Sequence, residues 1–343
     1  MSKYIALKPK LTVAILAAGF VVAAAVTPAH SQILKADTTG PGSVNNAVFI
    51  VLAKIWKKHA GVTMQVNQGQ TLTRSGIKLG QGRIDIMPFP PVAIPWMRKG
   101  VRMYKKNPKV AQAAVKNIRL INTFIGGLYH QVVWADSKIK THADLKGKRV
   151  FTGPPAGGAA ITAEAIIRSV SGLNPKKDYT VVRLPWGSGL QAMQDGKLDA
   201  FFRPAGLGAA TIDQLGAKRR FRLLGVGDKV NSPAWKKFLK SIGRVTATIP
   251  AGTYKNQASN SADIITNGFM SQIVVRKDLS NDLVYKLTKT MFDNIKELHA
   301  AAAILKPIGL DDPFTAGNVP LHPGALRFYR EAGKAIPKRL LGG

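Results

Sequence analysis

Arg203 is the residue whose neighbours most constrain what it can do. It follows the apolar run Leu198–Phe202, and no Asp or Glu lies between Asp199 and Asp213. With Pro204 and Gly206 beside it there is little local carbonyl or carboxylate to meet its charge. A desolvated guanidinium in that setting has a bidentate carboxylate, or a similar anion, as its natural partner. Two other arrangements stay open: Arg203 turned outward to water, or paired with a distant acid such as Asp85. Two loops share the chemistry. Thr39-Gly40-Pro41-Gly42-Ser43 combines glycines that allow close backbone approach with amides at a helix start, which favours anions. Asn45 and Asn46 add donors and acceptors. Gly153 to Gly158 is built alike, with Gly157, Gly158 and Ala159 offering main-chain amides. It lacks the Gly-Lys-Thr ending of a phosphate-binding P-loop. An ordinary turn and an ordinary helix start explain the same stretches. Pro88-Phe89-Pro90-Pro91 is a rigid wall from which Phe89 can face a ligand, with Trp186 as the opposite wall. Core or hinge packing is the alternative use of both aromatics.

Catalysis finds little support. The six histidines are scattered and include no His-x-x-x-His zinc pair. Asp85, Asp144, Asp195 and Asp199 adjoin turns, where capping explains them. Ser188 in Gly187-Ser188-Gly189 lacks the spacing of a nucleophile elbow. With no Cys, a disulfide frame, a thiolate metal site and a Cys nucleophile are all excluded. No cofactor or metal is implied.

Binding residues of this kind sit where strands end and helices begin, and the chain supplies such junctions in series. Ile33–Ala36, Val62–Val66 and Ile84–Met87 read as strands. Asn45–His59 has Val48, Leu52, Ile55 and Trp56 at helical spacing, and Ile77–Gly80 ends a second helix. This β-α-β-α-β order argues for a parallel sheet covered by helices. The middle of the chain repeats it. Strands are expected at His130–Ala135, Arg149–Thr152, Tyr179–Leu184 and Leu198–Phe202. Helices are expected at Thr141–Lys146, Ala159–Val170 and Leu190–Asp195. The last third adds strands Val245–Ile249 and Phe269–Val275 and the helix Asp282–His299. The expected class is α/β with two lobes, each a mainly parallel sheet flanked by helices. Residues 32–135 with 245–343 form lobe I, residues 136–244 form lobe II, and the cleft lies between them.

The N-terminus orders Lys3, Lys8 and Lys10, the apolar run Leu11–Val26, and small residues at Ala29 and Ser31. That is the order of a secretory signal peptide over residues 1–31, cleaved near Ser31. The apolar run falls short of the roughly 20 residues a membrane helix needs. An exported, periplasmic protein is the expectation, with an uncleaved anchor as the alternative. The formal net charge is +32. Its cations are spread in pairs such as Lys105-Lys106, Lys176-Lys177 and Lys236-Lys237, with no nucleic-acid-binding motif among them. A solvated basic surface and a field steering an anionic solute both account for it.

Several stretches in order resemble the TAXI family, the extracytoplasmic binding subunits of tripartite ATP-independent periplasmic (TRAP) transporters. They are Ala143-Asp144-Leu145-Lys146-Gly147-Lys148-Arg149-Val150, Asp195-Gly196-Lys197-Leu198-Asp199-Ala200-Phe201-Phe202, Ile249-Pro250-Ala251-Gly252-Thr253-Tyr254, Leu321-His322-Pro323-Gly324-Ala325 and the opening Thr39–Ser43. The resemblance implies a type II periplasmic-binding-protein clamshell. It implies a monomer that takes a small solute to TRAP membrane subunits and itself drives nothing. A binding component of an ABC importer, or a sensor, shares that fold. Three departures set this chain apart. Gly42-Ser43-Val44-Asn45-Asn46 replaces a Gly-Gly-x-Tyr-Tyr run. Ala156-Gly157-Gly158-Ala159 replaces Gly-Ser-Gly-Thr, and Gln68-Gly69-Gln70-Thr71 replaces Gly-Gly-Ser. At Arg203 the family usually has an apolar residue. The family's amino-acid ligands therefore do not carry over, and a small anionic solute is expected instead.

Overall fold

The computed structural model describes Met1 and residues 33–342, apart from 156, 241–242, 259–260, 302–304 and 307. The expected leader and its cleavage site lie outside the described residues, Met1 excepted. All three hydrophobic cores fall within the compact unit Gln32–Gly343.

The first third follows its hydrophobic pattern. Strand β1 (Ile33–Asp37) pairs in parallel with β2 (Thr63–Asn67) and β3 (Ile86–Phe89). Helix α1 (Val44–Ala60) links the first two strands and α2 (Leu72–Gly80) the next. The α1 stripe Val48, Phe49, Leu52, Ile55 and Trp56 is buried, and the Trp56 indole donates to the Leu287 carbonyl at 2.9 Å. Ser43 caps the start of α1 and Gly61, in the left-handed region, ends it. Strand β3 reaches two residues further than its composition suggests and contains Pro88. The parallel neighbour β1 pairs with β3 only at Ile86, so the missing Pro88 amide breaks no bond there.

Helices α3 (Ala93–Lys99) and α4 (Pro108–Val115) precede β4 (Ile118–Trp134), a strand of 17 residues. Its antiparallel partner β10 (Ile264–Arg276) is nearly as long. Beyond β4 come β5 (Arg149–Phe151), α5 (Gly158–Ser171), β6 (Thr180–Val182), α6 (Trp186–Gln194), β7 (Ala200–Ala205) and α7 (Ala210–Lys218). Then follow β8 (Phe221–Leu223), α8 (Pro233–Leu239) and β9 (Arg244–Ile249). The strand order is β2-β1-β3-β10-β4-β7-β5-β6, with β8 beside β4 and β9 beside β10. The outer strands of each half pair in parallel, and the two long strands cross between the halves antiparallel to their neighbours.

The cores change over within those crossing strands. Phe124 on β4 and Ile273 on β10 belong to the core of the first half. Leu128, Tyr129 and Phe269 pack into the two cores that flank the second half. The expected lobe boundaries at 135/136 and 244/245 therefore do not coincide with the change of core. It lies at Gly126–Gly127 on β4 and near Met270 on β10. The chain closes on the first half with α9 (Asn281–Asp293), α10 (Ile295–Ala301) and α11 (Pro323–Glu331). The periodicity of Asp282–His299 suggests one helix, but Asn294 breaks it. That residue leaves helical geometry, and its side-chain amide donates to the Thr290 carbonyl at 2.8 Å, a local bond that competes with helix continuation.

Asp37, 1% exposed at the carboxyl end of β1, ties the first half together. It accepts hydrogen bonds from Asn67 Nδ2 (3.0 Å), Ser75 Oγ (2.6 Å) and Lys78 Nζ (2.9 Å). Removing the carboxylate leaves the buried Ser75 hydroxyl without its acceptor and breaks the ion pair with Lys78. We expect Asp37→Ala to lower unfolding free energy by roughly 2–4 kcal/mol in urea titrations. The exposed pair Lys289–Asp293 provides the contrast, because Asp293→Ala should leave the midpoint unchanged within error.

Candidate functional site

A cavity of about 980 Å³, its mouth included, opens between the two halves. The first half contributes Thr39, Gly40, Ser43 and Asn45 from the β1–α1 junction, Gln70 and Thr71 from the β2–α2 junction, and Pro90 and Pro91 after β3. The second half contributes Gly157, Gly158 and Ala159 at the start of α5, with Trp186 and Arg203. Gly126, at the change of core on β4, also lines it.

The β1–α1 loop is fixed before any ligand arrives. Thr38 N donates to the Asn67 carbonyl at 2.9 Å, and Gln70 N donates to the Thr38 carbonyl at 2.8 Å. The Ser43 hydroxyl donates to the Gly40 carbonyl at 2.9 Å and accepts from Asn46 N at 3.2 Å. Gly42 has φ of 79°, which only glycine adopts easily, and a Cβ there would stand 2.9 Å from Thr211 of the opposite half. Asn45 Oδ1 is buried with no hydrogen-bond partner among the described residues. Across the cavity, Gly157 starts α5 with no side-chain cap, so first-turn amides of a 14-residue helix border the space.

Arg203 lies inside β7, not after it, directly opposite His130 on β4. The strand continues past Phe202 because β5 pairs with β7 only at Ala200 and Phe201. Pro204 therefore costs no bond on that side. Arg203 is 5% exposed. Its Nη2 donates to the Pro41 carbonyl across the cavity at 3.1 Å, and its Cζ sits 5.1 Å from the centre of the Trp186 ring. Its Nε has no acceptor, and among the described residues it forms no ion pair. Burial brings its pKa down to about 10, so it stays cationic at neutral pH. The alternative partner Asp85 is engaged elsewhere. It accepts from Arg276 Nε at 2.8 Å and from Lys35 N at 2.7 Å.

Five residues expected at the site do not line the cavity. Pro41 reaches it only through its carbonyl on Arg203. Asn46 donates to Gln68 Oε1 at 3.0 Å, and the pair braces the two loops from behind. The Gly206 carbonyl lies 3.3 Å from the Tyr254 hydroxyl, behind the cavity wall. Phe89 is fully buried, its ring filling the space where a Gly76 Cβ would be, so Pro90 and Pro91 are the wall. Residues that the sequence reading leaves out include Arg244, Tyr129, Thr162, Phe269 and Met270. Arg244 opens β9, donates to the Phe238 carbonyl at 3.2 Å and stacks 4.0 Å above the Phe238 ring. Burial lowers its pKa to about 10. A cation at a strand end is the same signal that Arg203 gives, and it was available in Gly243-Arg244.

Behind Arg203, His130 is fully buried and its pKa is lowered to about 4, mainly by desolvation, with the Arg203 charge adding to it. Its Nδ1 is 3.1 Å from the Leu128 carbonyl and its Nε2 is 2.7 Å from the Tyr254 hydroxyl. With Nδ1 donating to that carbonyl, Nε2 accepts from Tyr254. A neutral imidazole thus backs the guanidinium without repelling it. Asp144 accepts from the amides of Lys140 and Thr141 as a turn cap, and Asp199 pairs with Arg149. Among the described residues no group of three His, Cys, Asp or Glu side chains converges as a metal site would require.

A two-lobed α/β molecule with a polar-ended, largely apolar cleft at its strand–helix junctions is a ligand-binding design. Residues 38–333 match the model of the NMT1-like family, and the chain belongs to that family. Among solved structures it is similar to a TRAP periplasmic solute-binding protein from Ralstonia eutropha H16 with bound (S)-2-acetolactate. The two are 11% identical, with a TM-score of 0.47 over 90% of this chain and 87% of that one. It is also similar to the alkanesulfonate-binding protein of Xanthomonas axonopodis pv. citri bound to MOPS. That pair is 13% identical, with a TM-score of 0.48 over 90% of this chain and 96% of the other. A third similar structure is the ectoine-binding protein of a Halomonas elongata TRAP transporter, 12% identical, with a TM-score of 0.45 over 88% and 84%.

His130 makes stability depend on pH with a defined sign. Its folded pKa is depressed, so as pH falls from about 6.5 to about 4 the unfolded chain takes up a proton that the folded chain refuses. Stability is complete above that window and declines through it. His142, also buried and lowered to about 4 by desolvation, acts in the same direction. We expect unfolding free energy to drop by a few kcal/mol over this window. In His130→Asn the slope against pH should be shallower, whatever its absolute stability.

Proposed function

We propose that the protein is an exported solute-binding protein that captures a small organic anion, carboxylate-bearing, and delivers it to the membrane subunits of a TRAP transporter as a TAXI-type subunit. One observation carries the ligand class. Arg203 is buried in the cavity wall with an unmet Nε–H and no ion-pair partner among the described residues. A second cation, Arg244, lines the same cavity, and among the described residues no Asp or Glu does. Trp186, Phe269, Met270 and the two prolines suit a compact apolar body. Asn45 suits an additional polar group on the solute. The free α5 amides add a further place for negative charge.

The two halves would move as lobes about Gly126–Gly127 and the β10 segment near Met270, closing on the solute. The contact from Arg203 to Pro41 would report closure. The TRAP assignment rests on the ordered stretches resembling the TAXI family. Reconstituted uptake that needs an ion gradient supports it, and uptake driven by ATP hydrolysis would assign the same subunit to an ABC importer.

The test of ligand class has two steps. Mass spectrometry of solute released from the purified protein identifies the ligand. Calorimetry then compares wild type, Arg203→Ala and Arg203→Lys, with Lys57→Ala as an exposed control. Arg203→Ala should lose roughly 2–5 kcal/mol of affinity, and Arg203→Lys should recover only part, because an ammonium cannot grip a carboxylate bidentately. Unchanged affinity in a folded Arg203→Ala protein would overturn the anchor assignment. Arg219 is unsuitable as a control, since it pairs with Asp136 and covers the Trp134 ring.

A further inference from the structure

Between Asp85 and Asp136 the chain has no acidic residue at all. Within that interval Arg98, Lys99, Arg102, Lys105, Lys106 and Lys109 fall in twelve consecutive positions, and all six are exposed. None of them takes part in an ion pair among the described residues, whereas acids elsewhere on the surface have cationic partners, as in Lys58–Glu297, Arg149–Asp199 and Arg327–Asp282. The segment runs from the end of α3 to the start of α4 and is not a loose loop. Tyr104 is buried in the middle of it, and its hydroxyl donates to the Thr73 carbonyl at 2.9 Å. Met97, Ala111 and Ala114 anchor either side. Two exposed apolar side chains lie among the cations: Val101, 38% exposed, and Val110, 41% exposed. The backbone is turned there at some cost, because Arg102 holds φ of 60° although it is not a glycine.

We propose that this segment is a docking surface for an anionic lipid bilayer. Clustered basic side chains beside a negatively charged membrane are attracted additively, and aliphatic groups among them enter the interfacial region. The combination of uncompensated cations, two protruding valines and a rigid anchor fits headgroups at a flat surface. It does not fit single-stranded nucleic acid, which needs exposed rings for stacking, since Tyr104 is buried. A bilayer contact would hold the protein close to the membrane whichever transporter it serves, so the inference does not depend on the ligand assignment. Thr73, which receives the Tyr104 bond, also lines the ligand cavity, so surface and cavity share one wall.

The test is co-sedimentation of the compact unit, the chain without its first 31 residues, with vesicles of phosphatidylglycerol and phosphatidylcholine, and with phosphatidylcholine alone. The triple variant Lys105→Gln, Lys106→Gln, Lys109→Gln is compared with an equal charge loss on exposed positions near α8, Lys236→Gln, Lys237→Gln, Lys240→Gln. Circular dichroism confirms that each is folded. The account expects anionic vesicles to bind the wild type, and the first triple variant to bind at least about tenfold more weakly. The second should lose less than about threefold, and salt should abolish binding. Val101→Ser with Val110→Ser should weaken binding at unchanged net charge. Equal losses in the two triple variants would reduce the effect to overall charge and overturn the proposal. So would a wild-type protein that ignores anionic vesicles yet binds polyglutamate through this segment, which would assign the surface to an acidic protein.

Discussion

The organisation of the cleft depends on one buried charge. Arg203 is withdrawn from water inside a strand, and everything around it is arranged so that the charge survives there. The Pro41 carbonyl takes one N–H and the Trp186 ring covers the cation. The imidazole of His130, directly behind, is held neutral. Among the described residues no carboxylate neutralises it, and a desolvated charge without a partner is costly. On the proposed reading, an anion supplied from outside would meet that demand, and the bond from Arg203 to the Pro41 carbonyl ties the second half to the first.

The scaffold makes such an arrangement possible because β4 and β10 run through both halves. Each carries residues of one core at one end and of the others at the other end. Glycines mark the change: Gly126 and Gly127 on β4, and Gly268 on β10 facing Leu128. At Gly126 a Cβ would come within 2.5 Å of the Phe269 ring, so the ring and the bare backbone share the floor of the cavity. Most of the cavity lining then comes from the junctions on either side, where helix starts and strand ends converge.

Much of this was legible in the sequence, for identifiable reasons. Helix α1 has a capping serine, a regular apolar stripe and a terminal glycine, and its bounds follow. The parallel strands β1 and β5 are short apolar runs ending in glycine-rich turns. The crossing strands were only half visible. Asn122, Thr123, Gly126, Gly127 and Asn267 interrupt the apolar pattern although all are buried within the sheet. Proline was misleading twice, at Pro88 and Pro204, because it is tolerated where a strand lacks a neighbour on its amide side. At the site, Arg203 stood out through the absence of nearby acids. Phe89 did not show which way its ring turns, since a short β-strand run gives direction only once its register is known. Arg244 was hidden by placing the start of β9 one residue late, and Tyr129 by starting β4 only at His130, twelve residues late.

The central claim is that a solute's anionic group completes the coordination of Arg203. A crystal structure of the protein with its co-purified solute tests this most directly. The account predicts a carboxylate or equivalent oxygen within about 3.2 Å of Arg203 Nε, a normal hydrogen-bond distance, with the apolar part of the solute against Trp186 and the Pro90–Pro91 wall. A solute bound in the cleft with its charge elsewhere, leaving Arg203 Nε unmet, would contradict it.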